Sequence, residues 1–195
     1  MPSIDMPLEQ LRQYKPSLYR EEDFDSFWDQ TIKEALHQPL NAELVPYDLP
    51  TKNLECFAVR FDGFEGGRLA GWYMRPSLSG KFPGVCLYHG YSGRAARLLD
   101  MMQFAAQGMC VLTMDCRGQN GQSQDTASVP EGHAAGWMTK GIRDARKYYY
   151  RYVYADAVRA LDLLARREEV DADRLAITGG SQGGGITLAV AALSS

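Results

Sequence analysis

The sequence predicts an α/β fold in which a mostly parallel sheet is flanked by helices, and three observations lead to this class. From residue 83 onward, apolar runs of strand length alternate with longer amphipathic segments. Glycine or proline marks most boundaries between these segments. The last apolar run leads directly into the glycine-rich pentapeptide 179–183, which is typical of a strand–turn–helix unit. A chain of 195 residues is long enough to build one such domain around a sizeable core.

Residues 1–40 are predicted to form a helical extension, and residues 41–195 the sheet and its flanking helices. The extension is expected to hold helices at Leu8–Gln13 and Glu21–His37, because apolar side chains of the second segment recur on one stripe. Three alternating or β-branched runs follow, at 43–47, 54–61 and 69–75. Asp-Gly and Gly-Gly pairs separate the later runs, so we expect antiparallel strands joined by turns.

The second half of the chain predicts buried strands at 84–88, 109–115 and 174–178. Helices are expected at Ala95–Gln107 and Tyr149–Arg167, and residues 184–193 predict a fully buried helix because they are apolar all round. The helix 149–167 carries an apolar stripe. Its predicted outer face carries Arg151, Asp156, Arg159 and Arg166. Strands that alternate with helices favour a parallel arrangement with right-handed crossovers.

The composition and charge of the sequence argue against nucleic acid and membranes as binding partners. A net charge of −3 and a pI near 5.6 give no basic footprint for nucleic acid or an anionic membrane. No apolar stretch has the length of a membrane span, and the N-terminus has no signal-peptide pattern, so we expect a cytoplasmic protein. The four cysteines follow no metal-site or disulfide spacing, and Cys86 and Cys110 lie in apolar runs, which predicts mainly buried thiols.

The pentapeptide Gly179-Gly180-Ser181-Gln182-Gly183 predicts a nucleophile elbow. A GxSxG pattern alone is weak evidence, but here it follows the apolar run 175–178 and precedes a predicted helix. The flanking glycines permit a tight turn that presents the Ser181 hydroxyl beside helix N–H groups. The alternative is a purely structural glycine turn. A phosphate-binding loop is not supported, because residues 179–188 contain neither GxGxxG nor a following Lys-Ser/Thr.

A serine that transfers acyl groups needs two hydrogen-bond donors for the oxyanion of its intermediate. The N–H after the nucleophile, that of Gln182, is the first candidate. The second is expected in the loop after an earlier strand, where His89-Gly90-Tyr91 follows strand 84–88, and we assign it to Tyr91. His89 belongs to the same loop, so a packing or hydrogen-bonding role is predicted for it rather than that of catalytic base.

Four residues of the long loop that opens after Asp115 are further candidates, namely Arg117, Gln119, His133 and Trp137. Arg117 is expected to hold the loop by pairing with a carboxylate, with substrate contact as the alternative. For the other three, lining the entrance to the site and merely ordering the loop both stay open.

Activation of Ser181 requires a base, which in this kind of fold follows the serine in the chain together with its orienting acid. After Ser181 the sequence holds no Asp, Glu or His, and all three histidines precede it. Either an unusual arrangement recruits one of them, or these residues are the N-terminal part of a longer enzyme. We expect the second, with strand 174–178 at an open sheet edge and the 195 residues inactive alone.

These residues also carry a family resemblance. The relevant motifs, in chain order, are Asp23-Phe24-Asp25-Ser26-Phe27-Trp28, His89-Gly90-Tyr91, Arg117-Gly118-Gln119, Gly132–Gly141, Tyr148-Tyr149-Tyr150-Arg151, Asp156–Leu161 and Gly179–Gly184. The chain resembles the acetyl xylan esterase/cephalosporin-C deacetylase group, carbohydrate esterase family seven of the α/β-hydrolases. Arg-Gly-Gln followed by Gly-x-Ser-Gln-Gly is far more specific than GxSxG alone.

The resemblance implies an α/β-hydrolase fold that stops after the elbow helix, with Ser181 as nucleophile and the N–H groups of Tyr91 and Gln182 as oxyanion hole. It implies hydrolysis of acetyl esters on small substrates, namely acetylated xylo-oligosaccharides and cephalosporin C, in a metal-free cytoplasmic homo-oligomer of hexameric form. The family's closing segment, with its Asp and His, is absent from the sequence. A peptidase or acyltransferase on the same scaffold and a catalytically silent module remain the alternatives.

Overall fold

The computed structural model describes residues 5–127 and 136–194, which form a six-stranded sheet with helices on both faces. The strands are β1 (Glu43–Tyr47), β2 (Leu54–Asp62), β3 (Arg68–Pro76), β4 (Phe82–Tyr88), β5 (Cys110–Met114) and β6 (Val170–Gly179). The helices are α1 (Leu8–Gln13), α2 (Phe24–His37), α3 (Leu98–Ala105), α4 (Tyr149–Ala165) and α5 (Gln182–Leu193). None of these helices has the length and apolar character needed to cross a membrane.

The sheet is mixed, with strand order β1-β2-β3-β5-β4-β6 among the described strands. β1, β2 and β3 pair antiparallel, as their turns predict, and β3 also pairs antiparallel with β5. Only β5, β4 and β6 are parallel, so the expectation of a mostly parallel sheet is wrong for the sheet as a whole and right for its second half. At the junction, Gly71 permits the close approach, since a Cβ there would lie 1.9 Å from the carbonyl oxygen of Thr113.

Element boundaries differ from prediction where a tertiary contact intervenes. α3 begins at Leu98 rather than Ala95, because the backbone N–H of Ala95 donates to the Asp115 carboxylate instead of entering a helix. The helix ends before Gly108, whose φ of 86° lies in the left-handed region that favours glycine. β6 begins at Val170 rather than Arg174, because Val170 pairs with Phe82 across an irregular register.

Apolar side chains pack on both faces of the sheet. One cluster joins the sheet to α4 and α5, and includes Leu112, Val153 and Ile186. A second cluster joins the opposite face to α3, and includes Met74 and Met101. All four cysteines are buried free thiols, in agreement with their predicted role as small apolar residues. The sheet between two helical layers is the α/β architecture that the sequence predicts.

The predicted outer face of α4 is not exposed, which corrects the sequence analysis. Arg151, Asp156 and Arg159 are 3%, 0% and 1% exposed. α2 packs across this side of α4 and contacts Arg151 and Arg159, whereas Asp156 is bonded by Arg117 and by the backbone N–H of Phe64. Arg159 donates to the carbonyl oxygens of Ala35, Gln38, Pro39 and Asp62, and so satisfies the carboxyl end of α2. Of the four charged residues, only Arg166 is solvent-exposed as predicted.

The full burial that the apolar sequence of α5 predicts is not reached within the described residues. Its buried residues are Gly183, Ile186 and Val190, whereas Leu188 is 75% exposed. α5 packs on β6, β4 and α4 with one side only. β6 lies at the edge of the described sheet, as the sequence analysis expects.

Candidate active site

Three parallel strands bring their carboxyl ends to one edge of the sheet. Tyr88 at the end of β4 is in register with Met114 of β5 and with Gly179 of β6. The loops that follow these strands therefore start side by side. They carry the candidates His89–Tyr91, Arg117–Gln119 and Ser181. The carboxyl edge of a parallel sheet is where ligand sites of α/β proteins lie.

Ser181 occupies a sharp turn between β6 and α5. Its φ is 56° and its ψ is −123°, an unfavourable conformation for a residue with a side chain. Ser181 precedes the first residue of α5, is solvent-exposed, and does not cap the helix with its hydroxyl. The backbone thus holds the hydroxyl out of the fold at a helix N-terminus, as a nucleophile elbow does.

Two glycines make this turn possible by removing side chains where backbones meet. A Cβ on Gly183 would lie 2.1 Å from the carbonyl oxygen of Tyr88, and one on Gly179 would lie 2.6 Å from the same oxygen. Both distances are far inside van der Waals contact, so the first turn of α5 packs directly against the end of β4. Gly180 has no such neighbour within 4 Å. Gly179 and Gly183 are therefore required by close packing.

The loop after β4 runs beside the elbow. A Cβ placed on Gly90 would lie 3.7 Å from the Cβ of Ser181, which puts Tyr91 next to the serine. Within residues 5–127 and 136–194, no hydrogen bond uses the backbone N–H of Tyr91 or of Gln182 as its donor. Two free N–H groups beside an exposed serine hydroxyl have the chemistry that an oxyanion requires.

A pocket of about 390 Å³ opens over Ser181. The described residues that line it are Tyr91, Met138, Tyr148, Tyr150, Tyr154, Ser181, Gln182 and Gly185. All are uncharged, and four are aromatic. A wider cavity of about 610 Å³ lies beside β2 and β3, but it is lined by none of the elbow residues. The smaller pocket is the better candidate because the strained Ser181, Tyr91 and Gln182 all line it.

The side chain of Gln182 is held from two sides. Its Oε1 accepts one hydrogen bond from Nε2 of Gln119, at 3.0 Å, and one from the hydroxyl of Tyr150, at 2.9 Å. Gln119 and Tyr150 are each 7% exposed, and Nε2 of Gln119 also donates to the Tyr149 hydroxyl at 3.0 Å. Gln119 is therefore an internal hydrogen-bonding residue in this structure rather than an open substrate contact.

Arg117 is fully buried and forms a two-pronged ion pair with Asp156. Nε and Nη2 of Arg117 each lie 2.7 Å from a carboxylate oxygen of Asp156, and Nη2 also donates to the carbonyl of Phe64. Burial alone would lower the pKa of Arg117, but the Asp156 charge raises it on balance. The pairing matches the predicted loop-holding role, and the burial leaves no room for the alternative of substrate contact.

The described histidines lie outside the serine pocket. His89 accepts the N–H of Cys116 at Nε2, 2.9 Å away, and its Nδ1 lies 2.7 Å from the carbonyl oxygen of Gly90. Both ring nitrogens thus have structural partners. His37 is exposed at the end of α2, and His133 lies outside the described residues. In the part of the chain that the structure describes, no His, Cys, Asp and Glu side chains gather in a group able to hold a metal.

Trp137 contacts the loop after β4 rather than standing free at the entrance to the pocket. Its ring packs edge-on against that of Tyr91 at 5.4 Å, and its backbone N–H donates to the Tyr91 hydroxyl at 2.8 Å. The indole N–H donates to the carbonyl of Gly118 at 3.1 Å. Trp137 therefore joins the loops that carry Tyr91 and Arg117.

Comparison with known proteins gives the family. The acetyl xylan esterase (AXE1) family matches residues 1–195, the whole chain. This chain belongs to that family. An acetyl xylan esterase from Paenibacillus sp. R4 is 45% identical with a TM-score of 0.92, over 96% of this chain. Acetyl xylan esterase 1 from Thermoanaerobacterium sp. JW/SL YS485 is 35% identical with the same TM-score, over 97% of this chain. These likenesses confirm the α/β-hydrolase fold.

The relatives are longer than this AXE1 sequence. It spans 61% and 60% of those two solved chains. The acetyl esterase Axe7A of Xylanibacter ruminicola (strain ATCC 19189 / DSM 19721 / CIP 105475 / JCM 8958 / 23) is 27% identical over 185 residues, which make up 92% of this chain and 42% of that protein.

The sequence does not predict the roles of two residues near the site of this AXE1 chain. Its helical periodicity places Asp156 on a solvent-facing side of α4 and Tyr150 on the apolar stripe. A signal for Asp156 existed, because an arginine directly after a buried strand needs a carboxylate and α4 supplies one. The Tyr150 hydroxyl had no sequence signal, since its partner Gln182 lies 32 residues away.

Proposed function

We propose that this protein is a serine esterase that removes acetyl groups from small acetylated substrates. The observation that carries the proposal is the exposed hydroxyl of Ser181 in a strained turn, beside the free N–H groups of Tyr91 and Gln182. Membership of the acetyl xylan esterase family supports an ester substrate. The geometry alone would suggest an enzyme that transfers acyl groups of any kind. Membership of the family narrows the proposed reaction to the hydrolysis of acetyl esters.

The reaction then proceeds through an acetyl-enzyme. Oγ of Ser181 attacks the acetyl carbonyl carbon while a base takes the hydroxyl proton. The carbonyl oxygen becomes an oxyanion, which accepts hydrogen bonds from the N–H groups of Tyr91 and Gln182. The ester C–O bond breaks, and the base returns the proton to the leaving alcohol. Water attacks the acetylated serine in the same manner and releases acetate.

The pocket suits a neutral ester. Its described walls carry no charged side chain, and the rings of Tyr91, Tyr148, Tyr150 and Tyr154 offer apolar faces. Such faces accommodate an acetyl methyl group and the C–H faces of a sugar ring. Acetylated xylo-oligosaccharides are therefore the proposed substrates, with the acetyl group of cephalosporin C as a second.

The catalytic base is proposed to come from outside this sequence. Of the described histidines, His89 uses both ring nitrogens in structural contacts and His37 is remote on α2. The solved relatives contain further residues beyond the part that this chain matches. A histidine and its orienting carboxylate from such a segment would complete the triad.

The experiment that tests the proposal is hydrolysis of p-nitrophenyl acetate by the full-length protein and by Ser181→Ala. Loss of a triad nucleophile lowers kcat by about a millionfold. Ser77→Ala, a change of the same size at an exposed turn, is expected to retain full activity. Undiminished turnover by Ser181→Ala would disprove the nucleophile. Hydrolysis of amide but not acetyl ester substrates would favour a peptidase, and absence of any turnover the silent module.

The setting of the enzyme belongs to the same proposal. We expect a cytoplasmic homo-oligomer, in hexameric form by family resemblance, that acts without metal or other cofactor. Light scattering on the full-length protein measures the assembly directly. Full activity after dialysis against a chelator is expected, because none of the proposed steps uses a metal.

A further inference from the structure

The Gln182 side chain makes a pair of contacts that the proposed reaction does not require. Only its backbone N–H is assigned to the oxyanion, yet its amide oxygen accepts from Gln119 and Tyr150 at 3.0 and 2.9 Å. These two donors come from different elements, the loop after β5 and the helix α4. Together they fix the side-chain amide of the residue that begins α5.

The donors are themselves anchored to α4. Gln119 also donates to the hydroxyl of Tyr149, which in turn donates to the carbonyl of Arg117 at 2.6 Å. Arg117 is bound to Asp156 in the fully buried ion pair. Two residues of α4, Tyr149 and Asp156, therefore hold the loop 117–119 in place. The Gln119 amide is hydrogen-bonded to α4 and to Gln182, although it lies on a loop.

The turn that these contacts hold is under strain. A positive-φ conformation such as that of Ser181 is unfavourable for a residue with a side chain and persists only when its surroundings enforce it. Relaxation of the turn would rotate the peptide between Ser181 and Gln182, which carries the proposed oxyanion donor. The two hydrogen bonds to the Gln182 side chain oppose this relaxation.

We propose that Gln119 and Tyr150 are positioning residues, which clamp the Gln182 side chain and thereby keep its backbone N–H directed at the oxyanion. The inference rests on the proposed esterase function and adds two residues to it. Neither residue is a catalytic residue, because both act through Gln182. The clamp explains why Gln119 is 7% exposed in a loop that is otherwise partly open.

The chemistry of Tyr150 supports the clamp. Burial raises its pKa to about 12, so its hydroxyl stays protonated and remains a donor throughout the pH range of an esterase assay. Gln182 Oε1, in contrast, has no proton to give. The direction of this hydrogen bond is therefore fixed, and a phenylalanine at position 150 would remove it while keeping the aromatic wall of the pocket.

The test measures the kinetics of Tyr150→Phe and Gln119→Met on p-nitrophenyl acetate, in the full-length protein. Both variants keep the approximate shape of the side chain and lose the donor to Gln182. Removal of an oxyanion donor costs about 10²–10³ in kcat, so loosening one is expected to lower kcat about tenfold, with KM within about twofold. Affinity for a boronic acid, which forms a tetrahedral adduct on the serine, is expected to fall by the same factor as kcat/KM.

Tyr73→Phe is the matched control. It removes the hydroxyl of a tyrosine that is 1% exposed and donates to Glu169 at 2.7 Å, in a part of the sheet remote from the elbow. We expect a loss of thermal stability at least as large and an unchanged kcat. If Tyr150→Phe and Gln119→Met lower the melting temperature as this control does but leave kcat and boronic acid affinity intact, their role is structural and the inference is overturned.

The outcomes also separate this inference from the proposed function. A parent protein without esterase activity, or with full activity after Ser181→Ala, contradicts the proposed function. A parent that loses activity with Ser181→Ala but keeps it in both clamp variants contradicts only the clamp. Should Gln119→Met fail to fold, Tyr150→Phe alone decides, since it changes one hydroxyl and retains the ring.

Discussion

The helix α4 borders two regions of the molecule, one in which polar groups are buried and paired and one in which they are exposed or unpaired. Toward α2 and the loop after β2, it buries Arg151, Asp156 and Arg159 almost completely, and each has several partners at hydrogen-bond distance. Toward the sheet edge, it presents Tyr150 and Tyr154 to a pocket where the Ser181 hydroxyl is exposed and its backbone strained. In the first region the charges of α4 are paired, although among the described residues Nη1 of Arg117, the partner of Asp156, has no hydrogen bond. The second region leaves donors free beside the serine.

The difference shows how one rigid element separates stability from chemistry. Buried charges are tolerated where they are paired, and here they fix the loop that reaches the serine. Positive φ also occurs at Asn41, Glu65 and Ser92, but at Ser181 it coincides with an exposed hydroxyl and free N–H groups in one pocket. The two regions should therefore respond differently to mutation, one mainly in stability and the other mainly in turnover.

Asp156→Ala is expected to have the largest effect on stability. It leaves the guanidinium of Arg117, 0% exposed, with only the longer ion pair to Asp125 at 4.0 Å, and breaking a buried pair from one side costs about 3–5 kcal/mol. Because Arg117 holds the loop of Gln119, activity should fall with stability. Urea unfolding measures the first and hydrolysis of p-nitrophenyl acetate the second.

Asp100→Ala is the control for that change. Asp100 pairs with Arg97 at the surface of α3, where solvent screens the charges, so stability should match the parent protein. Equal losses in the two variants would contradict the distinction between buried interior pairs and surface pairs on which the comparison rests.

Arg159→Ala is expected to have the next largest effect, a loss of about 3 kcal/mol in the free energy of unfolding. The change leaves the carbonyl groups at the carboxyl end of α2 without their hydrogen-bond donor. Arg166 directly follows α4, and its side chain is 62% exposed. Arg166→Ala should therefore change the free energy of unfolding by less than about 0.5 kcal/mol. Thermal unfolding of both variants is the measurement. Similar losses would mean that α2 does not depend on the buried arginine.

Much of the fold follows from local patterns in the sequence. Apolar runs locate β4 and β5, the glycine after α3 locates its end, and helix periodicity locates α2 and α4. The pairing of β3 with β5 does not follow, because it depends on the absence of a side chain at Gly71, which is in register with Met114 and lies against the carbonyl oxygen of Thr113. The burial of Arg159 does not follow either, since periodicity identifies a polar face without revealing that another helix covers it.

The candidate site likewise has features that follow from local sequence and features that do not. GxSxG after an apolar run suffices to predict the turn at Ser181, and strand order suffices to suggest Tyr91 as a neighbour. The clamp on Gln182 arises from residues 32 and 63 positions away, so only the folded chain brings them together. Local rules thus predict where the chemistry lies, and tertiary contacts determine what holds it.

Ser181→Gly is expected to have the smallest effect on stability and the opposite sign. Glycine accepts a φ of 56° readily, so releasing the strain should stabilise the protein by up to about 1 kcal/mol while abolishing esterase activity. Ser26→Gly, in the exposed face of α2, has ordinary helical backbone and should instead destabilise by about 0.5–1 kcal/mol. Melting temperatures of the pair decide the matter. If both fall, the elbow stores no strain, and the contrast between a paired scaffold and a strained site loses its energetic basis.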